Sequence, residues 1–120
     1  YIVVQFEGEE YRTKTVKGVY DAEFGEAFDL DVEKVEEGVR RDCFVRVYDW
    51  DAASKDDEVG EVKISAGRMS EVFRARIGTE SSESFPVMAE GKPVIGHDKK
   101  PCELSLSVEV MKKPVAFAGV

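Results

Sequence analysis

Apolar and polar residues alternate along several short stretches of this chain, and a period of two is the pattern of a β-strand with one buried face. The clearest stretch is 102–110, where Leu104, Leu106, Val108 and Val110 fall on one side of an extended backbone. Seven β-type stretches, separated by turn residues, predict an all-β antiparallel sandwich. Their bounds are 1–6, 11–16, 26–32, 43–49, 59–64, 85–88 and 102–110.

Helical spacing occurs in one segment, between two late strands. Met69, Val72, Phe73 and Ile77 recur at intervals of three and four residues. This spacing predicts a short helix over 67–77, which Gly78 can end.

The size and charge of the chain limit its class. A chain of 120 residues suits one domain, which we expect to span 1–111 with a tail at 112–120. The net charge of -8 repels nucleic acid, and it repels anionic membranes unless the local field is changed. We therefore expect no nucleic-acid partner.

The sequence lacks the patterns of common active sites. Cys43 and Cys102 are too few for a disulfide scaffold, so we expect two reduced, half-buried thiols in an intracellular protein. A single bridge between them is the less favoured alternative. The one histidine, His97, lies in a polar loop and has no zinc-site spacing to the cysteines. With no nucleophile elbow and no phosphate-binding loop, the chain is predicted not to be an enzyme.

An acidic loop lies between two of the predicted strands. Four aspartates crowd into 49–57, and carboxylates this close repel one another unless a hard cation binds them. Asp49 and Asp51 project from one side of an extended chain, and a short loop returns Asp57 toward them. We predict these three residues as calcium ligands, with Ser54 and Asp56 as peripheral oxygens. The alternative is a solvated acidic turn.

The tip of this loop also has residues suited to a membrane surface. Trp50 is typical of the lipid headgroup layer, although folding back over the sheet edge is an equal alternative. Ala52 and Ala53 add little apolar area, so we expect shallow insertion. An EF-hand is excluded because Gly60 stands where its last ligand, a glutamate, is required.

With its strands placed, the chain resembles the C2 domain, the calcium- and phospholipid-binding sandwich of protein kinase C and synaptotagmin. Five pieces carry the resemblance. They are Tyr1-Ile2-Val3-Val4, the basic run 11–16, the trio Phe24, Glu26 and Phe28, the Asp49-Trp50-Asp51 motif, and Asp57 followed by Gly60.

The sequence departs from the family pattern in two places. Asp21-Ala22 replaces the usual Asn-Pro of the second loop, and Gly25 replaces an asparagine. The family's first strand and first calcium loop would precede Tyr1 and are lacking in this sequence. Either the sequence is part of a longer protein or something else completes the sandwich.

The resemblance implies an eight-stranded sandwich, expected in the type II order, that binds Ca²⁺. It also implies that Arg12 and Lys14 contact lipid headgroups, against the alternative of ordinary surface charges. The expected function is calcium-dependent binding to anionic phospholipid membranes by a cytoplasmic protein, with other domains of a larger protein as further partners. The alternative is a calcium-independent C2-like module for protein interaction or structure.

Overall fold

In a computed structural model of the chain, the structure describes residues 1–16, 24–30, 39–49, 57–96 and 99–111, with the backbone alone at 57. This part of the chain contains eight strands and one nine-residue helix, α1, at Ala66–Arg74. The strands are β1 Ile2–Phe6, β2 Glu9–Arg12, β3 Cys43–Asp49, β4 Asp57–Ile64, β5 Glu80–Pro86, β6 Met88–Ala89, β7 Lys92–Pro93 and β8 Glu103–Glu109.

The strands form two antiparallel sheets, which confirms the predicted all-β sandwich class. The larger sheet has six strands in the order β2-β1-β3-β4-β6-β7, and β5 pairs with β8 in the second. The helix follows β4, so the prediction of a short helix between late strands is also confirmed. The type II order and the domain boundary after 111 stay predictions.

One face of the larger sheet forms the core. The register aligns Ile2 with Val47 and Val4 with Val45, and Val45 in turn with Val62. Because partners across a strand pair share a face, the apolar positions of three strands form one continuous surface. The second sheet covers this surface, with Phe85 and Leu104 packed against the buried cluster.

The first two strands form a hairpin, and its turn is shorter than the gap between the predicted stretches 1–6 and 11–16. Glu7 and Gly8 both have positive φ, 47° and 84°, as in the two-residue turns that suit the twist of a hairpin. Strand pairing therefore begins at Glu9 rather than at residue 11. The strand ends at Arg12. At the next residue, the side-chain oxygen of Thr13 accepts a hydrogen bond from the Ile2 amide at 2.9 Å.

The strand predicted over 26–32 is not found at 24–30, and 31–38 lies outside the described residues. One described contact of this segment is a hydrogen bond that the Lys14 amide donates to the Glu26 carboxylate at 2.6 Å. Phe28 and Leu30 are half-buried and Asp29 is exposed, so the predicted alternation of faces holds without a described strand partner.

The helix is shorter than the predicted 67–77. Ser65 caps its start, and the Ala66 amide binds the Asp42 carboxylate at 2.8 Å, which lowers the pKa of Asp42 with help from Lys63. The helix ends at Arg74 because the chain leaves to join the end of β8, where the Gly78 amide binds the Val110 carbonyl at 2.8 Å. Ile77, the last residue of the predicted helical spacing, is consequently outside the helix and 63% exposed.

The strand predicted over 85–88 is divided at Val87. The chain crosses there from the second sheet to the larger one, and the Val87 amide binds the Cys102 carbonyl at 2.9 Å. The strand before this crossing, β5, begins five residues earlier than the predicted start, at Glu80.

Both cysteines are free thiols. Cys43 is 2% exposed rather than half-buried, and burial raises the pKa of its thiol to about 11. Cys102 is half-buried, as predicted. No helix in the described ranges has the length and apolar character needed to cross a bilayer.

Gly60 allows the crossing at Val87 to approach β4 closely. A Cβ at position 60 would lie 2.7 Å from Val87 Cγ1 and 2.8 Å from the Met88 carbonyl oxygen. We expect Gly60→Ala to lower the free energy of unfolding by about 1–3 kcal/mol, because the backbone itself must move.

Urea denaturation measures this effect, with Gly67→Ala as the matched control. Gly67 lies in α1, where an added Cβ would meet no neighbouring atom within 4 Å, so alanine there should stabilise the helix by about 0.5–1 kcal/mol. An equal loss of stability in both variants would contradict the close approach.

Candidate functional site

The ends of β3 and β4 hold the predicted acidic loop. β3 ends at Asp49 and β4 begins at Asp57, and these two positions are direct cross-strand partners. Residues 50–56 connect them. The structure thus brings together the backbone positions of two of the three predicted calcium ligands.

An irregularity in the strand pairing lies just below the loop. Val47 pairs with Gly60, but Tyr48 pairs with Glu58, so Val59 is left without a partner across the pair. An extra residue of this kind bends and twists a strand and redirects the side chains beyond it. The bulge therefore sets the direction in which the two strands enter the loop.

The first residue of the described chain extends β1 alongside the loop end of β3. The Tyr1 nitrogen donates to the Tyr48 carbonyl, and the Tyr48 amide donates to the Tyr1 carbonyl, both at 2.9 Å. The two rings stack with centroids 5.1 Å apart and an interplanar angle of 10°. These contacts fix the residue that immediately precedes Asp49.

Arg12, a predicted lipid contact, completes this stack. Its guanidinium carbon lies 3.7 Å from the centre of the Tyr1 ring. The residue is exposed nonetheless, so the cation is held against an aromatic surface without being removed from water. A row of Arg12, Tyr1 and Tyr48 thus crosses three strands at the loop end of the sheet.

Lys14, the other predicted basic contact, lies past the end of β2. Its side chain is exposed, and its backbone is held by Glu26 as described above. The predicted strand 11–16 would have held both residues, but β2 ends at Arg12 and leaves Lys14 outside it.

Arg46 connects the two strands that carry the loop, and sequence reasoning missed it. Its Nε lies 3.2 Å from Glu61 Oε2 and 3.3 Å from Glu58 Oε1, and its Nη1 donates a hydrogen bond to Gln5 Oε1. The signal was available, since Arg46 and Glu61 occupy matching outward positions of adjacent predicted strands. This half-buried network ties β3 to β4 on the face opposite the core.

The remaining predicted site residues lie outside the described residues. They are Trp50, Asp51, Ala52, Ala53, Ser54 and Asp56, and Asp57 is described by its backbone alone. Among the described side chains, no group of three or more His, Cys, Asp or Glu residues is arranged to hold a metal ion. Asp49 is the only predicted calcium ligand with a described side chain, and it is exposed.

A comparison with known families identifies the fold. The model of the C2 domain matches residues 1–83, which include both strands of the acidic loop and the loop itself. C2 domains are membrane-targeting or interaction modules, and they are typically non-catalytic. Since the match spans well over half of the sequence, the chain belongs to the C2 domain family.

Proposed function

We propose that this chain is a calcium-dependent phospholipid-binding module, with Asp49, Asp51 and Asp57 as the calcium ligands. The observation that carries the proposal is the pairing of Asp49 with Asp57 at the base of the loop. Residues that are direct partners in an antiparallel pair have Cβ atoms about 4.5–5.5 Å apart. That separation suits two carboxylates that share one cation.

The chemistry of the donors fits calcium. Calcium takes about 6–8 oxygen ligands in flexible geometry, and carboxylates and backbone carbonyls are its usual ligands in proteins. Three aspartates supply part of this shell, Ser54 and Asp56 are peripheral donors, and water or lipid phosphate oxygens complete it.

Calcium would act on this chain chiefly through charge. The net charge of -8 opposes approach to an anionic membrane, and the acidic loop concentrates that charge at one end of the sheet. Each bound calcium ion reverses part of the local potential, so the loop end becomes attractive to anionic headgroups. The switch requires little change in the fold.

The membrane contacts are proposed to be shallow and mainly electrostatic. The proposed contacts are Trp50, Ala52 and Ala53, which stand between Asp49 and Asp57 in the sequence, and Trp50 suits the headgroup layer. Arg12 and Lys14 add exposed positive charge, worth roughly 1 kcal/mol each near an anionic surface. Arg12 is included because it stacks on Tyr1, which in turn stacks on Tyr48, the residue before Asp49.

Co-sedimentation with phosphatidylserine vesicles tests the proposal. We expect the chain to pellet with vesicles in calcium and to stay in the supernatant with chelator, and Asp51→Asn should weaken the calcium response without unfolding the domain. Asp29→Asn is the matched control, since Asp29 is an exposed aspartate outside the loop.

Two outcomes would contradict calcium dependence. Equal pelleting in calcium and chelator would favour the alternative of a calcium-independent interaction module. The absence of pelleting in both conditions would remove phospholipid binding as well.

A further inference from the structure

A groove lies beside β4, along the side of this strand that does not pair with β3. Its volume is about 370 Å³, at the lower end of the usual range for small-ligand sites. Val62, Phe85, Pro86 and Met88 line its apolar part. Val62 is buried, whereas Phe85 and Met88 are half-buried, so apolar surface remains accessible from the solvent.

The groove runs along an edge of the larger sheet. β3 pairs with β4 from Asp57 to Ile64, but β6 pairs with it at Glu61 alone. In the described part of the chain, the stretch Val62–Ile64 therefore has a strand partner on only one side. Unpaired backbone groups along such an edge can accept an added strand.

The charges at the rim indicate which peptide would fit. Lys63 lies 3.4 Å from Asp42, and Glu61 lies 3.2 Å from Arg46, so both of these rim charges are already paired. Glu90 is also at the rim and has no ion-pair partner among the described residues. It lies in a tight turn with positive φ, 52°, which fixes its backbone. The available charge at the rim is consequently negative.

We propose that this groove binds an extended peptide of a partner protein by strand addition to Val62–Ile64. A large apolar side chain of the peptide enters the space between Phe85 and Met88, and a lysine or arginine close to it in the peptide pairs with Glu90. The surface is separate from the acidic loop and requires no metal ion. The interaction therefore does not depend on the proposed calcium function.

NMR titration of the ¹⁵N-labelled chain in chelator tests this proposal. The probe is a short synthetic peptide in which leucine or valine alternates with lysine. We expect amide shifts at 61–63, 85 and 87–91, and slower hydrogen exchange at those amides of Val62–Ile64 that point away from β3, where new backbone hydrogen bonds form. A peptide with glutamate in place of lysine should bind more weakly.

Glu90→Lys should lower the affinity of the lysine peptide by about fivefold, the size of an exposed charge effect. Glu109→Lys is the matched control, because Glu109 is an exposed glutamate at the far end of β8 and should leave the affinity unchanged. The proposal would be overturned by equal effects of both substitutions. It would also be overturned by shifts confined to other surfaces, or by a lack of binding of the lysine peptide.

Discussion

Alanine in place of Phe6 is expected to lower the free energy of unfolding by about 3–5 kcal/mol. Phe6 is 2% exposed and is one of the two largest fully buried side chains in the described part of the chain. Its ring stacks on Phe73 of α1 with centroids 5.5 Å apart. The substitution would therefore leave a cavity between β1 and the helix.

Chemical denaturation followed by circular dichroism measures the loss. Phe44→Ala removes the same ring from the opposite face of the sheet, where Phe44 is half-buried and contacts Arg46. We expect this control to lower the free energy of unfolding clearly less, because solvent can fill the space left by the ring. Similar losses for the two variants would show that the core is not on the face assigned to Phe6.

The double substitution Asp49→Asn and Asp57→Asn is expected to raise the calcium concentration needed for vesicle binding by about a hundredfold or more. Each amide keeps the size of the side chain but removes a negative charge, and the number of charged ligands tunes calcium affinity. A hundredfold change corresponds to about 2.8 kcal/mol, or about 1.4 kcal/mol per carboxylate. Co-sedimentation at graded calcium concentrations gives the shift directly.

The control for the double variant changes the net charge equally at a distant place. Glu103→Gln with Glu109→Gln removes two exposed carboxylates from β8. If net charge alone governed vesicle binding, both double variants would behave alike. A selective loss with the aspartate pair is the expected result.

The sequence predicted best the elements in which side-chain alternation and strand pairing agree. β3 has the predicted bounds of 43–49 because Cys43, Val45 and Val47 alternate with Phe44, Arg46 and Tyr48 on the other face. The final strand shows the same agreement, with exposure alternating at every residue from Glu103 to Glu109.

The start of β5 was missed because its residues carry no apolar pattern. Ser82 and Ser84 face Ser107 and Ser105 across the pair, with hydroxyl oxygens 2.7 and 2.8 Å apart. Hydrogen bonds between side chains thus help to hold these two strands together at positions where no apolar side chain is buried. A serine-rich segment could equally have been a loop, and only its partner strand decides between them.

The candidate site was predictable in part. The spacing of aspartates indicated the loop and its flanking strands, and the pairing of positions 49 and 57 agrees with that prediction. Contacts between distant segments could not be anticipated, since Arg12 reaches Tyr1 only through the hairpin and the turn geometry that precedes it. The groove beside β4 depends likewise on the crossing at Val87.

An NMR titration of the whole chain with calcium tests directly whether the acidic loop binds the ion. We expect saturable amide shifts that are largest across residues 48–58, complete below about 1 mM calcium and reversed by chelator. Shifts scattered over both sheets, or the absence of any saturable shift in that range, would contradict calcium binding at this loop.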